Sequence, residues 1–186
     1  MATGEARVVR RLPTSQARRG LTPQPGLRQV MARFATGVTV LTAGGEDPHG
    51  MTANAFTPVS QDPPMVLCCV AKAARTHAAI VTAGSFAVNV LAADQQELAE
   101  HFADWRRPDG MAQFASVAHE IGPKTGAPLL TGALAWLECE LDQVLAGGDH
   151  SIFLGRVVAA GRGAGEHALV FNGGPYHDVA GRSRAA

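Results

Sequence analysis

Residues 133–160 read ALAWLECELDQVLAGGDHSIFLGRVVAA, two largely apolar runs on either side of a Gly-Gly-Asp turn. Each run, 133–145 and 151–160, is long for a strand, and the Gly-rich link between them is short enough to require a hairpin. Shorter strands are expected at 38–42, 51–57, 65–71, 86–92 and 168–171, each bounded by Gly, Pro or Asp. Helical spacing is confined to three stretches. In 25–34, Leu27, Val30, Met31 and Phe34 recur at three- and four-residue intervals; 76–82 is a short second stretch; 94–102 opens with Asp94 and has Glu97 three residues on, as in a capping box. Many strands and few helices disfavour βαβ units and favour a closed antiparallel barrel, mainly β with a few short helices.

Composition bounds the remaining choices. A chain of 186 residues with 16 basic and 16 acidic side chains can bury a real core and has no net charge to recruit nucleic acid or an anionic membrane. Lys72 and Lys124 are its only lysines; this bias towards Arg, with abundant Ala and Gly, points to a GC-rich bacterial genome. Cys68, Cys69 and Cys139 are odd in number and lack CxxC spacing, so a reducing cytoplasm, no disulfide framework and no metal site are expected. No apolar run is long enough to span a bilayer, and the Arg-rich start lacks the apolar core of a signal peptide. Residues 1–24 read as a mobile arm, 25–179 as one domain and 180–186 as a tail.

Chemistry is concentrated in 50–64, GMTANAFTPVSQDPP, where small polar side chains and backbone amides lie between apolar runs. Turn chemistry accounts for Thr52, Asn54 and Ser60 taken singly. Their neighbourhood adds Lys72, Arg75 and Thr76, and Thr76 opens a helix whose first amides are free to meet an anion. Loop and basic cluster together suggest a phosphate-bearing, nucleotide-like ligand. The run Gly161-Arg162-Gly163-Ala164-Gly165 lacks a following helix, so it is a surface turn and not a dinucleotide fingerprint. Cys68 and Cys69 read as strand core, with a Cys69/His77 hydrolase as a distant alternative. His101 packs beside Phe102 or faces solvent, His150 sits at a hairpin tip, and Tyr176 beside His177 marks a possible pocket wall.

The segments RFATGVTV (33–40), HGMTANAF (49–56), SQDPP (60–64), RTH (75–77), FAVNVL (86–91) and GDH (148–150) resemble, in order and spacing, the flavin reductase family, the reductase components of two-component flavin-dependent monooxygenases. The likeness runs from about Leu27 to His177. It implies an FMN-binding split β-barrel of antiparallel Greek-key type, a homodimer, and reduction of FMN or FAD by NADH or NADPH for a separate monooxygenase. It also implies that Met51, Thr52, Ala53 and Asn54 hold the flavin, and that the backbone near Cys69 and Val70 lines its ring. Ser60, Asn89 and Phe102 would lie close by, Lys72, Arg75 and Thr76 would face the phosphate, and His150 would stand on the nicotinamide side. The rivals are a flavin carrier or sensor without nicotinamide chemistry and a flavin-dependent oxidase with its own small substrate. Contacts from the 104–110 loop do not transfer from the resemblance.

Overall fold

The edge strands of the main sheet decide its shape. The computed structural model describes residues 26–179, so the arm and tail expected at 1–24 and 180–186 lie outside the described residues. In chain order the elements are α1 (Leu27–Met31), β1 (Thr36–Gly37), β2 (Thr39–Ala43), β3 (His49–Ala53), β4 (Phe56–Gln61), β5 (Pro64–Ala71), α2 (Arg75–Ala83) and β6 (Ser85–Val90). There follow α3 (Gln96–Ala103), β7 (His119–Ile121), β8 (Pro128–Leu130), β9 (Ala135–Gly147), β10 (His150–Arg162), β11 (Ala168–Phe171) and β12 (Tyr176–Val179).

Seven strands pair antiparallel in the order β3-β2-β6-β9-β10-β5-β4. A flat sheet of seven would hold β3 and β4 about 29 Å apart, yet only Asn54 and Ala55 connect them, a link that spans at most about 11 Å. The sheet must therefore roll up, and β3 comes into contact with β5. No ladder joins β3 to β4. The expected closed barrel is thus completed by the chain and split at one seam, and the single strand expected over 51–57 is two strands broken where the chain crosses that seam.

The barrel interior is filled by one face of each strand. Val66, Cys68 and Val70 on β5 alternate with half-exposed neighbours, and Ser151, Phe153 and Gly155 on β10 do the same. They pack with Leu41, Phe86, Val88 and Cys139, and Ile80 of α2 enters the same cluster. β2 is buried at every position because a second cluster covers its other face, with Val40 against Leu91, Ala99, Phe102, Phe114 and Leu169. That outer layer comes mainly from the long excursion between β6 and β9.

The excursion is fastened by side chains more than by ladders. Thr42 Oγ1 donates to the Pro128 carbonyl at 2.7 Å, and the Leu130 amide donates to Asn89 Oδ1 at 2.8 Å. Glu138 Oε1 accepts from the amides of Lys124 and Thr125 and from Thr125 Oγ1. The β7–β8 hairpin and β12 carry no clear alternation, and sequence patterning missed them. The helix expected at 94–102 begins with a 3-10 turn, Ala93–Gln95, whose leading amide at Ala92 is capped by Gln95 Oε1 and not by Asp94. The helix expected over 25–34 is shortened to α1, whose apolar residues Leu27, Val30 and Met31 are exposed together with Phe34.

His49 anchors the 104–114 loop against β3. Gln113 accepts from the Gly50 amide at 2.9 Å and places its own amide nitrogen 2.9 Å from His49 Nδ1. Arg107 faces His49 Nε2 at 3.2 Å and donates to the carbonyls of Asp104 and Gly50. The imidazole is therefore flanked by two groups that accept no proton. Burial first, then the positive charges of Arg107 and Arg75, lower its pKa from 6.5 to about 4.

Two outcomes are expected. A Cβ at Gly155 would stand 2.5 Å from Phe86 Cζ, in a ring with no exposed surface to move into, so Gly155→Ala should cost about 1–3 kcal/mol in denaturant unfolding. The folded chain keeps His49 neutral where the unfolded chain protonates it, so acidification favours unfolding. On the order of 3 kcal/mol should be lost as pH falls from 6.5 to about 4. A His49→Gln variant should show a flatter fall in melting temperature over that range, and an equally steep fall would show that other groups cause it.

Candidate functional site

Where the chain crosses the barrel seam, three adjoining hollows form one groove. The first, about 590 Å³, is lined by His49, Met51, Thr52, Arg75, Thr76, Trp105 and Arg107 among others. Thr52 and Ala103 carry it into a second hollow of about 240 Å³ with Asn54, Phe171 and Tyr176. Asn54 leads on to a third of about 470 Å³, walled by Phe34, Phe56, Leu67 and Cys69. The groove is cationic at one end and apolar at the other, with small polar groups between.

Its cationic end is built on the start of α2. No side chain caps that helix, so its first amides remain available to an anion. Thr76 Oγ1 is fully buried yet has no hydrogen-bond partner, although Thr76 lines the hollow. A buried hydroxyl without a partner is uncommon because it forgoes its bonds to water. Arg75 donates to the Trp105 carbonyl at 2.9 Å and forms an ion pair with Asp109. Arg107 brings a second guanidinium from the other side. This donor set suits a phosphate ester.

The structure gathers Met51, Thr52, Asn54, Cys69, Arg75, Thr76 and Phe102 on the groove. Thr52 Oγ1 is already committed to the Ala99 carbonyl at 2.6 Å, which leaves its backbone and methyl for a ligand. Tyr176, marked as a possible pocket wall, lies on the groove against Phe171, with ring centres 5.6 Å apart.

Other expected positions fall elsewhere. Asn89 is fully buried, and its amide bridges Val40, Thr42, Pro128 and Leu130, so it fastens the excursion and does not reach the groove. The side chains of Ala53 and Val70 are buried in the barrel, which leaves their backbone as the part available to a ligand. Ser60 lies towards the far end of β4, opposite Met65. Lys72 Nζ donates to the Gly148 carbonyl at 2.7 Å, which turns it to the β9–β10 hairpin and away from the cationic end.

His150 pairs in register with Ala71, two residues from the Ile152–Cys69 pair, so it shares the outer face of the sheet with Cys69. Its Nδ1 lies 2.8 Å from the Asp149 carboxylate, and this hydrogen bond holds the Asp149 pKa below the usual carboxylate range. The Cys69/His77 hydrolase finds no support, because His77 Nε2 is 2.9 Å from Ser151 Oγ and that hydroxyl is enclosed in the barrel. Burial pushes the Cys68 and Cys139 thiols up to about 12, where they are inert as nucleophiles. His101 packs edge-on to Phe102 and bonds to the Gln113 carbonyl.

Sequence reading missed Arg107, Trp105 and His49 as groove residues. The first two lie in a loop without periodicity, and His49 reaches the groove only because that loop folds back on β3. Among the described residues, no cluster of His, Cys, Asp and Glu has the arrangement of a metal site, and no helix is long and apolar enough to cross a membrane.

Comparison with known proteins agrees with this geometry. The flavin reductase like domain matches residues 31–180. The chain is 49% identical over 154 residues to the NADH-dependent FAD reductase of Streptomyces globisporus, covering 83% of this chain and 85% of that one. It is 40% identical to HsaB, the reductase subunit of a flavin-dependent monooxygenase of Rhodococcus jostii, over 82% of this chain and 76% of that one. The crystal structure of BorF, the flavin reductase component of a bacterial two-component tryptophan halogenase, superposes with a TM-score of 0.80 at 49% identity, covering 84% of this chain and 98% of that one. A structure of Streptomyces globisporus SgcE6 in complex with NAD and FAD fragments matches with a TM-score of 0.79 at 46% identity, over 84% of this chain and 93% of that one. A rolled β-sheet of this order, a phosphate-ready helix start on its seam and this level of identity lead to one conclusion: the chain belongs to the flavin reductase family.

Proposed function

We infer that this protein is an NADH-dependent flavin reductase that supplies reduced flavin to a separate monooxygenase. The observation that carries the reading is the unpaired, buried Thr76 hydroxyl at an uncapped helix start, at the cationic end of a groove that runs on into an apolar hollow. When bound, the nicotinamide and the flavin would supply the hydride chemistry. The chain's own residues bind and orient. Arg75, Arg107, Thr76 and the first amides of α2 would hold the flavin phosphate, and the backbone of 52–54 and the strand at Cys69 would bind the rest of the flavin. His150, at the rim of the same face, positions the nicotinamide. Ser60 and Lys72 remain outside this arrangement in the single chain.

A homodimer built through residues 25–179 fits the uncovered apolar surface. Leu27, Val30 and Met31 are exposed on α1, Phe34 is exposed at the groove's apolar end, and Val59, Val144 and Leu145 are exposed on β4 and the β9–β10 hairpin. A second copy covering these side chains would close the apolar end of each groove. The balanced charge and free cysteines support a cytoplasmic location.

NADH and NADPH oxidation, followed by nicotinamide absorbance with FMN, FAD or no added flavin, tests the reading. Turnover that requires added flavin is expected. Flavin binding without turnover would make the protein a carrier. Thr76→Val should leave thermal stability unchanged or raised, because it removes an unsatisfied hydroxyl, while weakening FMN binding by about tenfold. His150→Ala should raise the KM for NADH or lower kcat with flavin affinity intact, and unchanged kinetics would remove His150 from the mechanism.

A further inference from the structure

Arg75 stands between two hollows of opposite charge. Arg107 and the start of α2 lie on one side, at the cationic end of the groove, whereas Glu46, Asp47 and Asp109 lie on the other. Carboxylates on that second side repel a phosphate, so a phosphate reaches Arg75 from the side of Arg107.

Both terminal nitrogens of Arg75 are engaged by one short stretch of the 104–114 loop. Nη1 is paired with the Asp109 carboxylate, and Nη2 donates to the Trp105 carbonyl at 2.9 Å. Arg107 differs, because its partners are the carbonyls of Asp104 and Gly50, the Gln113 amide oxygen and His49. The Asp104 carboxylate is held by Arg106. Among the described residues, Asp109 is therefore the one carboxylate bonded to a guanidinium of the groove.

The Asp109 side chain is turned to Arg75 and away from its own backbone. Asp109 stands at the N-cap of the 3-10 turn Gly110–Phe114, where an Asp side chain ordinarily accepts from the following amides, yet no such bond is made. Gln113 fastens the far end of that turn to Gly50 and His49, so the backbone that carries Asp109 is anchored. Both members of the pair are substantially exposed, 43% for Arg75 and 65% for Asp109, and an ion pair so exposed is weak. A phosphate ester carries more charge than a carboxylate and grips a guanidinium through two parallel N–H bonds. It must take those N–H groups from the loop.

We propose that Asp109 is a built-in competitor of the flavin phosphate for Arg75, and that it sets how fast a phosphorylated flavin leaves. The proposal rests on the flavin reading above and deepens it. A reductase that hands reduced flavin to a separate enzyme must let go of it in every cycle, and a carboxylate anchored beside the guanidinium reclaims Arg75 as the phosphate departs.

Asp109→Asn keeps the size of the side chain and removes its charge, and Asp109→Glu keeps the charge. Dissociation constants and release rates are measured for FMN and for riboflavin, which lacks the phosphate, on the full chain and on both variants. Asp109→Asn is expected to bind FMN about three- to fivefold more tightly, chiefly through slower release, with riboflavin unchanged and Asp109→Glu close to wild type. A purely structural role for Asp109 would weaken both flavins alike. FMN binding unchanged or weakened in Asp109→Asn, or a gain shared equally by riboflavin, overturns the proposal, while a wild-type preference for FMN over riboflavin leaves the phosphate site standing. If wild type binds the two flavins equally, the phosphate reading falls and takes this proposal with it.

Discussion

The two-residue link from Ala53 to Phe56 is the constraint on which the rest of the molecule depends. It joins the two edge strands of a seven-stranded sheet, so the sheet can exist only rolled up. The link also leaves those edges unpaired with one another, and backbone at such a seam retains exposed surface that an interior strand lacks. Asn54 and Ala55 are exposed there, while the Ala55 carbonyl accepts from the Cys69 amide at 3.0 Å and fixes the crossing to β5. The groove is the consequence of this geometry, not an addition to it.

A second layer then determines what the groove can hold. The excursion between β6 and β9 covers β2 and packs Phe102 and Phe114 over Gly50, where any side chain would collide with the Phe102 ring. That packing brings the 104–114 loop onto β3, and the His49–Gln113–Arg107 network secures it. Almost every buried polar group in this layer is satisfied. Thr76 Oγ1 is an exception at the groove, which makes it informative, whereas Glu138 Oε2 and Thr36 Oγ1, also without partners, do not line its cationic end. Burial first, and then positive charge (that of Arg107 and Arg75 for His49, that of Arg75 for Arg107), lowers the pKa values of His49 and Arg107. An anion between Arg75 and Arg107 would relieve the part due to charge.

Much of the candidate site was legible because its residues lie close in sequence. Met51, Thr52 and Asn54 stand on one short segment, Arg75 and Thr76 open one helix, and each segment carries its own local signal of turn or helix start. Positions inferred from a contact across the sheet fared differently. Asn89 has the polarity of a ligand contact, but its amide spans β2, β6 and β8, and nothing in a strand pattern distinguishes a buried amide that stitches elements from one that faces a cavity. Lys72 is adjacent in sequence to the phosphate end, yet its long side chain is drawn to the Gly148 carbonyl across the hairpin.

The sequence by itself determined the antiparallel strands, the hairpin at Gly148-Asp149 and the helix start at Thr76, since alternation, glycine turns and helix breaks are local properties that few residues encode. It also carried the likeness to flavin reductases in motifs spread along most of the chain. Only the tertiary structure decided that the barrel is split between β3 and β4, that Arg107 and Trp105 join the groove, and that Arg75 separates a cationic hollow from an acidic one. Those features depend on side chains from distant segments meeting after the sheet has rolled, and the balance of burial and charge that positions them exists only in the folded chain.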